Sequence, residues 1–375
     1  MSDLQAVILA GGRGTRLRPV TVDLPKPLVP IANRPIVEHQ LRHLADSGVR
    51  DVTLALGYAA ERFEPVAAEA EELGLNLQLF TEPEPLGTGG ALRWCADQGA
   101  FDDRPLLWMN GDVVAKPNPQ SLLELHQDRD ALLTFWLTSV RAVSEFGVLE
   151  LDADLRVQRF FEKPGPDETD SHLINAGILM LDPQALQRIP TDTFFSFEKE
   201  LLPILIRDDE PVYGLFDGGY WLDIGRPGHY LSANRHVLEG RVDWQPAGER
   251  TEAGLWQGQG VKRDGVDIIL PAVLGDDVTI EEGAQLFGRT VLGRNVTVGA
   301  GAKLEGCVLF DDVEVGAGSE VVSSIVCAGA RIGEDVLLQD TVVGANAVVG
   351  DGNKLRRTRL WSDVDLADGV LIVDS

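Results

Sequence analysis

The chain has 375 residues, a formal net charge of −26, and 44% hydrophobic residues. This length is ample for two domains, and the acidity excludes a nucleic-acid partner, because polyanions bind basic surfaces. There is no apolar run of about eighteen residues, which a membrane span needs, no secretory signal, and only 3 cysteines, so we expect a cytoplasmic protein with no membrane partner.

The first predicted strand, Ala6–Ala10, runs directly into a glycine-rich basic loop. The loop reads Gly11-Gly12-Arg13-Gly14-Thr15-Arg16-Leu17-Arg18, and Lys26 follows it. Exposed backbone amides in such loops bind anions, and basic side chains add the charge that a triphosphate needs. The spacing fits neither a Walker A loop nor the GxGxxG dinucleotide fingerprint. We therefore predict a polyphosphate-binding loop; a plain strand-to-helix turn is the alternative.

Strand-like and helix-like segments alternate over the first 240 residues. Strands are predicted at 6–10, 51–56, 75–80 and 106–109, and helices at 36–47, 59–73 and 89–98, with Gly48 as a C-cap. This alternation predicts an α/β domain, a Rossmann-like mostly parallel sheet with helices on both faces. Ligands of such sheets bind at the carboxyl ends of the strands. We assign residues 1–240 to this domain and residues 241–265 to a linker packed by its tryptophans.

A six-residue repeat of aliphatic residues begins at Leu274 and continues with small phase slips to Leu360. This period predicts a C-terminal left-handed parallel β-helix over 266–375, with about five coils of roughly seventeen or eighteen residues. Antiparallel hairpins are the alternative. All 6 histidines precede this region, so we expect no acyl-transfer site in it. Protomer contacts and a regulatory ligand are its expected roles, and its open end coils favour a homo-oligomer.

Two aspartates follow apolar segments at predicted turns, Asp112 in Asn110-Gly111-Asp112 and Asp223 in the motif 218–225. A bound triphosphate needs Mg²⁺ to neutralise its charge, and Mg²⁺ takes one or two carboxylates together with phosphate oxygens and water. The pair would suffice for such a site. Each aspartate alone also fits a turn or cap residue.

Further motifs lie at 85–90 (Pro-Leu-Gly-Thr-Gly-Gly), 160–164 (Phe-Phe-Glu-Lys-Pro), 175–177 (Asn-Ala-Gly), 196–200 and 219–225. With the first loop, they resemble the sugar-phosphate nucleotidyltransferases, or nucleotide-sugar pyrophosphorylases. The resemblance covers nearly the whole chain. Within that family, the chain resembles the branch that contains mannose-1-phosphate guanylyltransferases, in which a C-terminal left-handed β-helix also occurs.

The resemblance implies a role for each motif. Arg16 would grip the triphosphate near the scissile bond, Lys26 would contact the phosphates, and Asp112 and Asp223 would hold Mg²⁺. The sugar phosphate would lie among Gly147, Glu162, Lys163, Asn175 and Gly177, with Lys163 on the phosphate. The remaining substrate-binding residues would be Leu9, Ala10, Gly11, Gly12, Gly14, Thr15, Glu82, Gly87, Thr88 and Gly111, with Gly87 and its neighbours lining the base.

The expected reaction joins a nucleoside triphosphate to a sugar 1-phosphate and releases pyrophosphate without a covalent enzyme intermediate. Glu82 favours GTP, since a carboxylate accepts from guanine N1–H and N2–H₂ together; a solvated surface glutamate is the alternative. Mannose 1-phosphate is the expected sugar. The same chemistry with dTTP or UTP and glucose 1-phosphate, a cyclitol phosphate substrate, and a non-catalytic regulatory subunit that binds nucleotide sugars all stay open.

Overall fold

The structure is a computed structural model that describes residues 4–373. Two compact units divide the chain: residues up to Arg13 with Val37–Trp221 form the first, and Gly14–Ile36 with the chain from Leu222 onward form the second. Over residues 4–373, no helix combines the length and the apolar character that crossing a bilayer requires.

A nine-stranded mixed sheet forms the first unit, in the order β10-β9-β11-β6-β1-β4-β5, with β8 beside β11 and β12 beside β8. The strands of the chain up to residue 223 are β1 (Gln5–Ala10), β2 (Pro30–Ile31), β3 (Arg34–Pro35), β4 (Asp51–Leu56), β5 (Asn76–Thr81), β6 (Leu106–Asn110), β7 (Val113–Ala115), β8 (Leu133–Ser139), β9 (Gly147–Leu151), β10 (Val157–Glu162), β11 (Leu173–Leu181), β12 (Val212–Phe216) and β13 (Trp221–Asp223). Strand β1 is parallel to both its neighbours, β4 and β6. Strand β11 is antiparallel to β6, β8 and β9.

Helices connect the parallel strands, as crossover connections require. The α-helices are α1 (Ile36–Asp46), α2 (Val66–Glu72), α3 (Gly87–Asp97), α4 (Pro119–Asp128), α5 (Leu202–Arg207) and α6 (Pro227–Leu238). Short 3-10 helices lie at Thr15–Leu17, Lys26–Leu28, Ala60–Phe63 and Pro183–Arg188, and Phe197–Leu201 is a π-helix. The single helix predicted over 59–73 is divided before α2, because Pro65 has no N–H to continue the preceding turn.

Three parallel sheets form the β-helix of the second unit. The first contains Leu255–Gln257, Ala272–Leu274, Thr290–Leu292, Val308–Leu309, Ile325–Val326, Val342–Val343 and Arg359–Leu360, with Glu249–Glu252 antiparallel at its start. The second contains Asp267–Ile268, Gln285–Phe287, Lys303–Glu305, Glu320–Val322, Leu337–Gln339, Lys354–Arg356 and Leu371–Val373. The third contains Thr279–Ile280, Thr297–Val298, Glu314–Val315, Arg331–Ile332, Val348–Val349 and Asp365–Leu366.

The register of these sheets advances by one coil at each pairing, as in Ala272 with Thr290 and Val308 with Ile325. The repeated aliphatic residues point inward and form one continuous buried core. The predicted fold class, an α/β domain followed by a parallel β-helix, is confirmed. The third sheet has 6 strands, so the helix is slightly longer than predicted. The β-helix also begins before residue 266, since the strand Leu255–Gln257, within the predicted linker 241–265, pairs with Ala272–Leu274.

Residues 14–36 fold with the C-terminal part of the chain. The Ala32 amide donates to Asn234 Oδ1 at 2.8 Å, and the Tyr230 hydroxyl donates to the Pro30 carbonyl at 2.7 Å. The side-chain amide of Asn33 donates to the Leu292 carbonyl in the β-helix at 2.6 Å. These bonds fix the segment that carries the predicted catalytic residues Arg16 and Lys26.

Candidate functional site

The loop after β1 turns sharply at Gly14, which has a φ of +58°. A Cβ at this position would lie 3.2 Å from Thr21 Cγ2 and 3.3 Å from Lys26 Cβ. The Thr21 hydroxyl donates to the Gly14 carbonyl at 2.7 Å, and the Leu17 amide donates to the same oxygen at 3.0 Å. The backbone conformation therefore favours glycine here, and a side chain would also press against Thr21 and Lys26. The turn leads directly into the 3-10 helix that carries Arg16.

The predicted catalytic residues Arg16, Lys26 and Asp223 lie together within the second unit. The Lys26 ammonium donates to Asp223 Oδ1 at 3.2 Å, although the two residues are 197 positions apart in the chain. Arg16 Nη2 lies 3.8 Å from Asp223 Oδ2. The side chain of Lys26 is only 8% exposed, whereas that of Arg16 is 55% exposed. The Lys26 ammonium is therefore held beside the Asp223 carboxylate, whereas the Arg16 side chain extends toward solvent, where it can contact a ligand.

Gly225 is a site residue that the sequence analysis quoted within a motif without assigning it a role. A Cβ at this position would lie 2.7 Å from Asp223 Oδ2 and 3.2 Å from Arg16 Nη2. The carboxylate thus occupies space that only glycine leaves open. The Asp223 carbonyl also lies 3.0 Å from Nδ1 of His229 on α6.

Asp112 follows β6 and is partly buried. The preceding residue, Gly111, donates its amide to the Leu9 carbonyl at 2.9 Å, which ties this turn to the end of β1. Within residues 4–373, no group of three or more histidine, cysteine, aspartate or glutamate side chains could hold a metal ion. A carboxylate is a hard oxygen donor of the kind that Mg²⁺ takes alongside phosphate oxygens and water, so the chemistry of Asp112 and that of Asp223 each fit the ion.

Glu82 lies beside the backbone of the glycine-rich loop. Its Oε1 atom would be 3.1 Å from a Cβ at Gly11 and 2.7 Å from a Cβ at Gly57. The Leu86 amide donates to Oε2 at 3.1 Å. Partial burial raises the pKa of the Glu82 carboxyl above its usual range, although the Leu86 bond opposes the shift. Gly57 was missed by the sequence analysis; the signal was a glycine directly after strand β4.

The motif at 85–90 packs against residues 195–198, which precede α5. A Cβ at Gly87 would lie 2.8 Å from the Phe195 carbonyl oxygen, which also accepts from the Gly89 and Gly90 amides at 3.0 Å each. The Thr88 hydroxyl donates to Glu198 Oε2 at 2.9 Å. The Gly89 and Gly90 amides in the first turn of α3 are therefore engaged within the protein, and the glycines here serve close packing.

The predicted sugar-phosphate residues share one end of the antiparallel strands. Gly147 and Glu162 are register partners between β9 and β10. The Lys163 ammonium lies 3.3 Å from Glu162 Oε1, and its side chain is 61% exposed. A Cβ at Gly147 would lie 2.6 Å from the Phe160 ring, so glycine allows the ring to cover the strand. The arrangement presents an accessible cation beside a carboxylate.

The Asn175-Ala176-Gly177 motif forms an irregularity in β11, where the pairing with β8 shifts register. Asn175 Oδ1 accepts from the Gly177 amide at 2.9 Å, and Gly177 has a φ of +73°. A Cβ at Gly177 would lie 2.6 Å from the side chain of Asn110. The Trp221 indole donates to the Ala176 carbonyl at 2.9 Å, which satisfies a backbone group within the irregularity. Such bulges re-aim side chains at functional sites.

The other predicted nucleotide-binding residues lie at the end of β1 and in the loop after it. Ala10 is buried in the strand, Leu9 is partly buried, and Thr15 is exposed at the start of its 3-10 helix. At Gly12, an added Cβ would meet no atom of the described chain within 4 Å, apart from its immediate chain neighbours. Folding therefore does not require glycine at this exposed position.

Two family models match the chain. Residues 5–240 match the model described as Nucleotidyl transferase, and residues 268–370 match the GMPPB C-terminal domain. Mannose-1-phosphate guanylyltransferase of Mycobacterium tuberculosis is 35% identical over 84% of this chain and 82% of that protein. The mannose-1-phosphate guanyltransferase of Saccharomyces cerevisiae is 35% identical over 67% of this chain and 70% of that protein.

Among solved structures, HddC from Yersinia pseudotuberculosis complexed with GMP-PN is 30% identical, with a TM-score of 0.53. The match covers 61% of this chain and 97% of HddC. The family predicted from the motifs is thus confirmed by a match that begins in β1 and ends after α6. The chain belongs to the nucleotidyl transferase family.

Proposed function

We propose that the chain transfers GMP from GTP to mannose 1-phosphate, giving GDP-mannose and pyrophosphate. The observation that carries this proposal is the cluster of Lys26 and Arg16 around Asp223, beside the glycine turn of a nucleotidyl transferase. Two cations and one carboxylate are the groups that a triphosphate and its metal ion need. The relatives named mannose-1-phosphate guanylyltransferase support the choice of base and sugar.

In the proposed reaction, a phosphate oxygen of the sugar 1-phosphate attacks the α-phosphorus of GTP. The bond from that phosphorus to the leaving pyrophosphate breaks, and the electron pair leaves with pyrophosphate. The attacking oxygen is already ionised at neutral pH, so no strong base is needed. Lys26 and Arg16 neutralise the phosphate charge, and the remaining contribution of the protein is alignment.

Asp112 and Asp223 are the proposed carboxylate ligands of Mg²⁺. The bound ion would neutralise charge on the phosphates. Lys26 holds Asp223 through the bond at 3.2 Å, and Gly225 leaves space for the carboxylate.

The nucleotide is proposed to lie against the loop after β1. Its contacts would be Leu9, Ala10, Gly11, Gly12, Gly14, Thr15, Gly87, Thr88 and Gly111. The open space at Gly12 supports this assignment, because glycine there lets a ligand approach the backbone. The hydroxyl of Thr88 is bonded to Glu198, so we assign its contribution to the shape of the base-side loop.

The sugar phosphate is proposed to lie at Gly147, Glu162, Lys163, Asn175 and Gly177. The exposed Lys163 ammonium supports a contact to the phosphate, and Glu162 offers an acceptor for sugar hydroxyls. A panel of GTP, dTTP and UTP against mannose 1-phosphate, glucose 1-phosphate and a cyclitol phosphate, read by pyrophosphate release, tests the proposal. The highest kcat/KM is expected for GTP with mannose 1-phosphate. Preference for dTTP or UTP would overturn the choice of base, and no turnover with any pair would favour a non-catalytic subunit.

Glu82 is the proposed reader of guanine. Its carboxylate lies beside Gly11 and Gly57, and one oxygen is already oriented by the Leu86 amide. Replacing Glu82 by Gln exchanges an acceptor for a donor, which would face the guanine donors. We expect kcat/KM for GTP to fall by about 10- to 100-fold, with smaller changes for dTTP and UTP.

The matched control is Glu84→Gln, because Glu84 is an exposed carboxylate two positions further along the same loop. This control should keep the wild-type nucleotide preference. If Glu82→Gln retains full selectivity for GTP, Glu82 does not read the base.

Three expectations stay predictions. These are the domain boundaries at 240 and 265, the cytoplasmic location and the homo-oligomer. The last coil supports self-association, since two large apolar side chains are exposed there: Trp361, directly after the last strand of the first sheet, is 54% exposed, and Leu371, on the last strand of the second sheet, is 69% exposed.

A further inference from the structure

The segment 14–36 is bonded to the first sheet of the β-helix at two separate points. Asn33 donates to the Leu292 carbonyl, and Arg359 donates to the backbone around Arg16. The strand of Arg359 lies four strands further along the sheet than the strand of Leu292. At the usual spacing between strands, this separation is about 19 Å. The β-helix therefore holds both ends of the segment that carries the two catalytic cations.

Arg359 bonds the turn that carries Arg16. Its Nη1 atom lies 3.2 Å from the Arg18 carbonyl oxygen and 3.5 Å from the Arg16 carbonyl oxygen. Leu17, between those two carbonyls, is fully buried. The 3-10 turn is thus anchored on one side by the buried Leu17 and on the other by a charged donor from the last strand of the first sheet. Bonds from an ionised donor are stronger than neutral ones.

We propose that Arg359 is a positioning residue for Arg16. By holding the Arg16 and Arg18 carbonyls, it fixes the turn in the conformation from which the exposed Arg16 side chain reaches the phosphates beyond the α-position. The inference rests on the proposed role of Arg16. It gives the β-helix a part in the nucleotidyl transfer itself, in addition to the roles expected from the sequence.

The experiment compares the affinities of the full-length chain for a nucleoside triphosphate and for its monophosphate, measured calorimetrically without sugar phosphate. The variant Arg359→Ala should bind GTP about tenfold more weakly, while its affinity for GMP stays within about twofold, because GMP has none of the phosphates that Arg16 contacts. Arg359→Lys keeps the charge and one donor and should recover part of the loss. Arg356→Ala is the matched control, an exposed arginine of the same coil on the second sheet.

A loss confined to the triphosphate supports the inference, since a general structural effect would weaken GTP and GMP alike. Equal losses, or no loss in Arg359→Ala, overturn it. Thermal midpoints of all variants should agree within a few degrees, and Arg359→Lys remains informative if the alanine variant folds poorly. If the wild type prefers dTTP, the proposed base is wrong, and the same comparison with dTTP and dTMP still tests Arg359.

Discussion

Replacing Lys26 by methionine is expected to lower kcat for nucleotide-sugar formation by about 10²- to 10³-fold, the usual cost of losing a charge-stabilising donor in the transition state. Methionine preserves most of the apolar stem and removes the ammonium, which lies 3.2 Å from Asp223 Oδ1. The side chain of Lys26 is almost fully buried, so bulk water offers poor compensation for the lost charge.

The same substitution also removes the nearer of the two cations described beside Asp223 and leaves Arg16 at 3.8 Å, and this lowers stability. The double variant Lys26→Met with Asp223→Asn removes the charge of both members of the pair. We expect it to recover thermal stability relative to the single variant and to remain inactive. Steady-state kinetics with saturating substrates, together with thermal unfolding, separate the two effects. A near-wild-type rate in Lys26→Met would refute the role of Lys26 on the phosphates.

The second large effect is expected for Gly225→Ala. The new Cβ would lie 2.7 Å from Asp223 Oδ2 and 3.2 Å from Arg16 Nη2, so the carboxylate must move. A shift of this kind misaligns a proposed metal ligand and should lower kcat by about 10- to 100-fold. We expect a matching increase in the Mg²⁺ concentration needed for half-maximal rate, measured by titrating Mg²⁺ at saturating substrates.

Gly228→Ala provides the control for this substitution. Gly228 lies three residues further on, in the first turn of α6, and a Cβ there meets no described atom within 4 Å beyond its chain neighbours and its own helix backbone. Alanine is a better helix former than glycine, so this variant should be as stable as the wild type or slightly more stable. Equal loss of activity in both variants would show that Gly225 has no special relation to Asp223.

Much of the fold could be predicted from residue patterns. The apolar strand before Gly11 and the six-residue period after Leu274 each specify a local structure, and the structure contains both. The antiparallel half of the first sheet was not predicted, because a short apolar run indicates a strand but carries no information about its direction. The direction of β11 depends on its pairing with β6, a strand that is distant in sequence.

The candidate site was predictable only as far as local motifs reach. The glycine turn at Gly14 and the cation at Lys26 belong to one short segment. The pairing of Lys26 with Asp223 joins residues 197 positions apart, and no spacing rule predicts it. Gly57 and Gly225 serve to accommodate a neighbouring carboxylate, and that need becomes visible only when the two segments are brought together. Arg359 faces outward on its coil, where the repeat does not constrain residue type.

The register of the β-helix gives the chain a ladder with rungs about 4.8 Å apart. Asn33 is bonded to one rung and the turn of Arg16 to another, four rungs away. Insertion or loss of a whole coil between them would preserve the stacking of the aliphatic core, yet it would carry the guanidinium a full rung away from the carbonyls it bonds. Over evolutionary time, the number of coils in this stretch should therefore vary less than the residues that face solvent on them.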